Sequence, residues 1–364
     1  MSTKPEFHGS DLEKIEEYYG IPKESIICFG ANVNPLGLSE KVRQEIKDHL
    51  DIISTYPDRE YTSLRNSIGH YCNVPPSSVL VGNGSTELIS LLIEQRCPEK
   101  TLILGPTYSE YARELSFSDS IQEYYHLKPD HGFRLDIPDF LEKLKEGFDL
   151  LIICNPNNPT SSAVTTADMR RILTACRETD TFVMIDETYV EFAPDIEAVS
   201  AMSLVGEFSN FMVLRGVSKF FAAPGLRLGY GVTGNQSFLK RVREHQIPWS
   251  LNSIGAFAGE RMLQDSGYIQ RTRSLILGER TRMLEELRKI KSIKVFDAYA
   301  NFILIEILKE GISASDVFET CIRQGLMIRD CSSFQCLEGE YVRFCMMSPD
   351  SNTRLLDTLK GILE

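Results

Sequence analysis

The chain has 364 residues, 42% of them hydrophobic and 25% charged, proportions that exclude a disordered, collagenous or coiled-coil protein. Its 39 Lys and Arg against 51 Asp and Glu give a formal net charge of -12, a surface that repels nucleic acid and anionic lipid. Length alone, at about 150 residues per domain, suggests two domains.

Residues 1–38 read as an irregular N-terminal arm, crowded with Gly, Pro and Asn in GANVNPLGLS, that completes part of a small domain. Ser39 is placed to cap a helix over EKVRQEIKDHL, and a second helix follows from Thr62 to Tyr71. VLVGNG then reads as a strand running into a glycine turn and a helix, STELISLLIEQ. Apolar runs at 101–104, 149–154, 181–186, 211–216 and 228–232, several of them separated by helical segments, predict a mainly parallel sheet with helices on both faces. This large domain spans 39–250. Residues 251–364 form a long interdomain helix, broken near 265–267, and a small α+β domain with strands in KVFDAYANFILIEI, LMIRDC and YVRFCMM.

Nine cysteines are scattered without a CxxC, which points to free thiols in a reducing cytosol rather than disulfides or zinc. The first 20 residues are polar and lack the apolar core of a signal peptide. No apolar run approaches the roughly 20 residues of a membrane span. The expectation is a cytoplasmic protein with no metal, nucleic acid or membrane partner.

Residues able to do chemistry fall in the turns after the strands, where α/β sheets bind ligands. In VGNGSTEL, Gly82, Gly84, Ser85 and Thr86 place free N–H groups and two hydroxyls at a helix N-terminus, a cradle for phosphate. It is neither a Walker A loop nor a dinucleotide fingerprint: GK[ST] is missing and Glu87 occupies the third glycine position. In CNPNNPTS, Pro156 and Pro159 stiffen a turn that holds the Asn157 and Asn158 amides. Asp186 ends the strand TFVMID, where a carboxylate is costly without a cationic partner such as a protonated pyridine nitrogen. Lys219 lies among Val217, Phe220 and Phe221, apolar company that favours a neutral amine suited to a Schiff base. Arg227 follows eight residues later, after the turn AAPG. Taken singly, these residues also read as a surface lysine, a capping aspartate, a strand-edge arginine and loop punctuation.

Their order is the specific signal. Phosphate cradle, Tyr108 in GPTYSEY, Asn-Pro turn, Asp-x-x-Tyr and Ser-Lys with its later Arg together resemble the fold-type I pyridoxal phosphate (PLP) enzymes of the class I/II aminotransferase superfamily. The likeness covers nearly the whole chain. It implies the α/β PLP-dependent transferase fold, with PLP bound covalently by Lys219, which also shuttles protons. It further implies Asp186 on the pyridine nitrogen, Asn158 and Tyr189 on the ring O3′, and Tyr108 stacked on the ring. Gly84, Ser85, Thr86, Ser218 and Arg227 would surround the phosphate. Tyr56 in TYPDREY resembles a tyrosine that reaches the neighbouring subunit's cofactor phosphate, implying a homodimer with shared active sites. Two positions depart from the pattern. Gly216 stands where many relatives have a phosphate-binding Ser or Thr, which leaves Ser218 to replace that contact, and Ser161 replaces the usual Gly after Asn-Pro-Thr.

Arg343 in YVRFC resembles the arginine that grips a substrate carboxylate, and Arg329 in LMIRDC lies one predicted strand earlier. Two arginines aimed at one cleft imply a substrate with two anionic ends, a small phosphorylated amino acid or amine. FHGSD, FGANVNPLG and IPWSLNS resemble the L-threonine O-3-phosphate decarboxylases of cobalamin synthesis, lyases whose product is (R)-1-amino-2-propanol phosphate. That likeness implies that His8, Asn32, Arg329 and Arg343 gather the substrate's phosphate and carboxylate. DETYVEF fits the histidinol-phosphate aminotransferases equally well, so decarboxylation and transamination both stay open. A non-catalytic binding module is disfavoured by the presence of Lys219 and Asp186, and a dehydrogenase by the missing fingerprint.

Overall fold

Apolar runs in the middle of the chain become neighbouring strands of one sheet in the computed structural model, which describes residues 7–364. Residues 1–6 of the arm lie outside the described residues. Along the chain the strands are β1 (Ile27–Cys28), β2 (Val79–Asn83), β3 (Lys100–Gly105), β4 (Ile121–His126), β5 (Leu150–Cys154), β6 (Phe182–Asp186) and β7 (Phe211–Gly216). Then come β8 (Leu228–Val232), β9 (Ile293–Val295), β10 (Phe302–Ile307), β11 (Leu326–Met327), β12 (Arg329–Asp330) and β13 (Tyr341–Cys345).

The large sheet has seven strands in the order β2-β8-β7-β6-β5-β3-β4. Pairings from β7 through to β4 are parallel, while β8 runs against both of its neighbours. The central strands read as unbroken apolar runs because both faces are covered. Leu151, Ile153, Val183, Ile185 and Val213 face one core. The alternate residues Leu150, Ile152, Phe182, Met184, Met212 and Leu214 face the other, under Leu88, Ile89 and Leu92 of the helix Gly84–Arg96 and Phe238 and Leu239 of Gln236–His245. Parallel strands under right-handed crossovers end at one edge, and that edge carries Cys154, Asp186 and Gly216 together.

The small sheet, β12-β13-β10-β9, is antiparallel, and both its faces join the first core, Phe302 on one and Ile303, Val342 and Phe344 on the other. Two helices join it to the large sheet, Ser253–Gln264 and Ser266–Leu287, with the expected break at Asp265.

Several local expectations need correction. The N-terminal segment is not wholly irregular: Leu12–Tyr19 is helical, and β1 pairs in parallel with β11. Ser39 precedes the helix Glu40–Asp48 without capping it, because its hydroxyl donates instead to Asp265 Oδ2 at 2.5 Å. The edge strand β4 and the helices Glu110–Leu115 and Ile137–Leu144 have no counterpart in the sequence reading. All nine cysteines are free thiols. Among the described residues no group of side chains could hold a metal ion, and no helix is long and apolar enough to cross a membrane.

Candidate active site

A cavity of about 460 Å³ opens between the C-terminal edge of the large sheet and the small sheet. Lys219 lies in its wall, just beyond β7, and its Nζ donates to the Ala31 carbonyl at 2.8 Å. Burial lowers the pKa of this amine to about 8, helped by the nearby Arg343 guanidinium. The loop FGANVNPLG holds the lysine's backbone: the Asn34 N–H donates to the Lys219 carbonyl at 3.1 Å and its Nδ2 to the Phe220 carbonyl at 2.8 Å.

Asp186, at the end of β6, is buried and fully engaged. Its Oδ2 accepts from the Tyr111 hydroxyl at 2.6 Å, and its Oδ1 from the Thr188 N–H at 2.9 Å and hydroxyl at 2.5 Å. Tyr189, one turn on, is buried edge-to-face against Phe302 and accepts from Asn32 Nδ2 at 3.4 Å. Burial keeps its phenol protonated well above the ordinary tyrosine range. Glu187 and Glu191 of the same segment point into the protein instead. Glu187 pairs with Arg215 at 2.7 Å, both buried. Glu191, 2% exposed, has no hydrogen-bond partner on either carboxyl oxygen among the described residues. Desolvation raises its pKa to about 7 against the pull of Arg215.

The phosphate cradle forms where β2 meets the helix Gly84–Arg96. Gly84 has φ +84, and a Cβ there would lie 2.4 Å from Arg227 Nη2, so only glycine lets the guanidinium rest against the helix N-terminus. Ser85, Thr86 and Ser218 line the same end of the cavity. Tyr108 stands at the rim, 37% exposed, with burial raising its phenol pKa to about 12.

Arg329 and Arg343 stand directly opposite each other on β12 and β13, both buried. Arg343 donates to Asn158 Oδ1 and, at 2.8 Å, to the Gly30 carbonyl, and its buried Nε has no hydrogen-bond partner among the described residues. Arg329 donates to the Phe7 carbonyl and, at 2.7 Å, to the Ser333 hydroxyl. Both guanidinium carbons lie near the Phe334 ring, at 5.5 Å for Arg329 and 6.0 Å for Arg343. Like charges held opposite each other in a sheet destabilise it, so this arrangement favours an anion between them.

The cavity therefore brings together Lys219, Asp186, Tyr189, Asn158, Tyr108, residues 84–86, Ser218, Arg227, Asn32, Arg329, Arg343 and an exposed His8. Tyr56 lies elsewhere, 80% exposed, on a second groove with Ile53, Trp249 and Ile254. Asn157 is structural: its amide ties the Pro106 carbonyl to Thr160 and Thr107. The sequence reading missed Tyr111, Thr188, the Gly30 and Ala31 carbonyls, Ser333 and Phe334. Their only signal is adjacency to residues it had singled out.

These groups fit a phosphate-bearing pyridine ring with an aldehyde. The cradle offers N–H groups, hydroxyls and a guanidinium; Asp186 offers a buried carboxylate; Lys219 offers an amine of lowered basicity. Asn32 Oδ1 and Arg343 Nε, buried without partners among the described residues, supply further unmet hydrogen-bonding capacity in the wall.

The family described as aminotransferase class I and II matches residues 24–359. The threonine-phosphate decarboxylase of Salmonella typhimurium is 32% identical over 98% of this chain and 96% of its own length. The crystal structure of histidinol-phosphate aminotransferase from Clostridium acetobutylicum superposes with a TM-score of 0.85 at 31% identity, covering 92% of this chain and 98% of that one. A histidinol-phosphate aminotransferase from Sinorhizobium meliloti, solved in complex with pyridoxal 5′-phosphate, shares the fold with a TM-score of 0.81 at 19% identity over the full length of both chains. The chain thus belongs to the class I and II aminotransferase family of PLP-dependent enzymes.

Proposed function

We propose that this enzyme is a lyase that decarboxylates L-threonine O-3-phosphate to (R)-1-amino-2-propanol phosphate, a cytoplasmic step of cobalamin synthesis. The observation that carries the reading is the buried pair Arg329 and Arg343, opposed across β12 and β13 on one cavity. L-Threonine O-3-phosphate has two anionic groups on a short frame, one for each guanidinium. Histidinol phosphate has one.

PLP bound in the cavity supplies an electron sink for the bond broken at the substrate Cα. Lys219 binds the aldehyde and moves a proton at Cα. Asp186 holds the pyridine-nitrogen proton, while Asn158 and Tyr189 orient O3′. Tyr108 covers the ring, and Gly84, Ser85, Thr86, Ser218 and Arg227 take the phosphate. Arg343, steered by Asn158 and Gly30, receives the carboxylate. Arg329, with His8 and Asn32 nearby, receives the substrate phosphate.

A homodimer with shared active sites completes the reading. It is supported by the second groove, where Ile53, Tyr56 and Trp249 stay exposed and Tyr56 is out of its own subunit's cavity. The domain division at 39–250 and 251–364 belongs to the same proposal, with the two interdomain helices as its joint. The second reading, a histidinol-phosphate aminotransferase, rests on the comparable identity to the Clostridium enzyme.

The test is to mix PLP-loaded enzyme with L-threonine O-phosphate, without a keto acid, and to identify products and cofactor by mass spectrometry. Aminopropanol phosphate with PLP unchanged is the expected result. Pyridoxamine phosphate without that product moves the assignment to the transaminase. In the same assay Arg329→Ala should raise KM for phosphorylated substrates at least tenfold more than for their unphosphorylated analogues. Equal weakening of both would take Arg329 out of the phosphate site.

A further inference from the structure

Tyr111 lies in the first turn of the helix Glu110–Leu115 and is 0% exposed, with its hydroxyl 2.6 Å from Asp186 Oδ2. A buried phenol needs a partner, and here the partner is the carboxylate itself. Thr188 occupies the other oxygen with two donors. Between them Tyr111 and Thr188 fix both the rotation and the tilt of the carboxylate plane. The Tyr111 ring also meets Tyr108 edge-on, with centroids 5.6 Å apart. One side chain thus braces two walls of the cavity: the carboxylate at the sheet edge and the aromatic at the rim. Burial and the Asp186 charge hold the Tyr111 phenol protonated far above the working pH, so it stays a donor throughout.

We infer that Tyr111 is a positioning residue: its hydroxyl orients Asp186 toward the pyridine nitrogen of the cofactor and tempers the carboxylate's grip on that proton. The inference rests on the reading of Asp186 as the nitrogen's partner. A carboxylate oxygen with a short phenolic donor shares its charge along that bond, which leaves less for the pyridinium. Removing the hydroxyl leaves Oδ2 buried and undersatisfied, free to rotate and more basic.

Tyr111→Phe keeps the ring, its packing and its contact with Tyr108, so the fold should be preserved. Its holoenzyme is expected to lose PLP affinity roughly 10- to 100-fold, because a carboxylate free to rotate loses more in alignment with the pyridine nitrogen than it gains in basicity. The pH midpoint of the visible absorbance band of the bound cofactor should shift as well. Thr188→Val removes the hydroxyl on Oδ1 and should act in the same direction. Asp186→Asn is the reference: it should damage affinity and spectrum more than either, and adding Tyr111→Phe to it should change nothing further.

The outcomes separate the two readings. An Asp186→Asn enzyme with wild-type affinity and spectrum overturns the role of Asp186 and the inference with it. An impaired Asp186→Asn enzyme beside an unaltered Tyr111→Phe enzyme overturns the inference alone. So does a Tyr111→Phe effect that persists in full in the Asp186→Asn background, because the tyrosine would then act through packing.

Discussion

Replacing Lys219 by alanine is expected to lower kcat by roughly 10⁴-fold or more, beyond what loss of a proton-transfer group alone costs. In the proposed reaction the residue does two things: it binds the cofactor aldehyde and moves the proton at Cα. Arg343 and Arg227 face the same space but carry guanidiniums rather than amines, and the Cys28 thiol near it has its pKa pushed up by burial. The fold should tolerate the change. The amine's hydrogen bond goes to the Ala31 carbonyl, and losing a buried cation removes a desolvation cost. The check is kcat alongside circular dichroism, with methylamine added to restore part of the lost proton transfer. Near-normal turnover would remove Lys219 from the chemistry.

Glu191→Gln is expected to stabilise the protein increasingly as pH rises above about 4.3, and fully above pH 7. The Glu191 carboxyl has its folded pKa raised to about 7 by burial, against about 4.3 in an unfolded chain. Between those values the folded state binds the proton that the unfolded state has released, so stability falls as pH rises through the window. Above pH 7 the full penalty applies, on the order of 3 kcal/mol. Glutamine is neutral throughout and escapes it. Urea midpoints of the two proteins should therefore agree near pH 4.5 and separate by pH 8, with the variant higher. An identical difference at both pH values would show that Glu191 does not change its charge there.

What the sequence made legible follows from how locally each feature is encoded. FMVLRG and LGYGV lie at 211–216 and 228–232, as β7 and β8 do, because an unbroken apolar run bounded by polar or glycine residues leaves little choice. The β4 segment, IQEYYH, escaped notice because an edge strand is covered on fewer sides and keeps polar residues at half its positions. Leu12–Tyr19 was hidden by its four charged or acidic neighbours, although Leu12, Ile15 and Tyr19 carry the helical spacing. At the site, Asp186 and Lys219 announce themselves by standing at strand ends. Tyr111 does not: three residues after Tyr108 it looks like any helical tyrosine, and only the parallel sheet, which sets β3, β5 and β6 side by side, brings it to Asp186. The direct opposition of Arg329 and Arg343 is likewise a matter of register between strands, which no single segment encodes.

The place of β8 between β2 and β7 has a consequence for biogenesis. Val79 of β2 and Val232 of β8 are partners although most of the large domain separates them in the chain. Gly229 of β8 packs so tightly on the cradle that a Cβ there would lie 2.3 Å from the Ser85 nitrogen. A growing polypeptide therefore carries residues 84–86 long before it can assemble them with Arg227, and loop-closure entropy delays such long-range pairing. That meeting waits until β8 has been synthesised and has paired between β2 and β7. A nascent chain ending after Lys219 would accordingly carry that lysine before β8 has joined the sheet and brought Arg227 to residues 84–86.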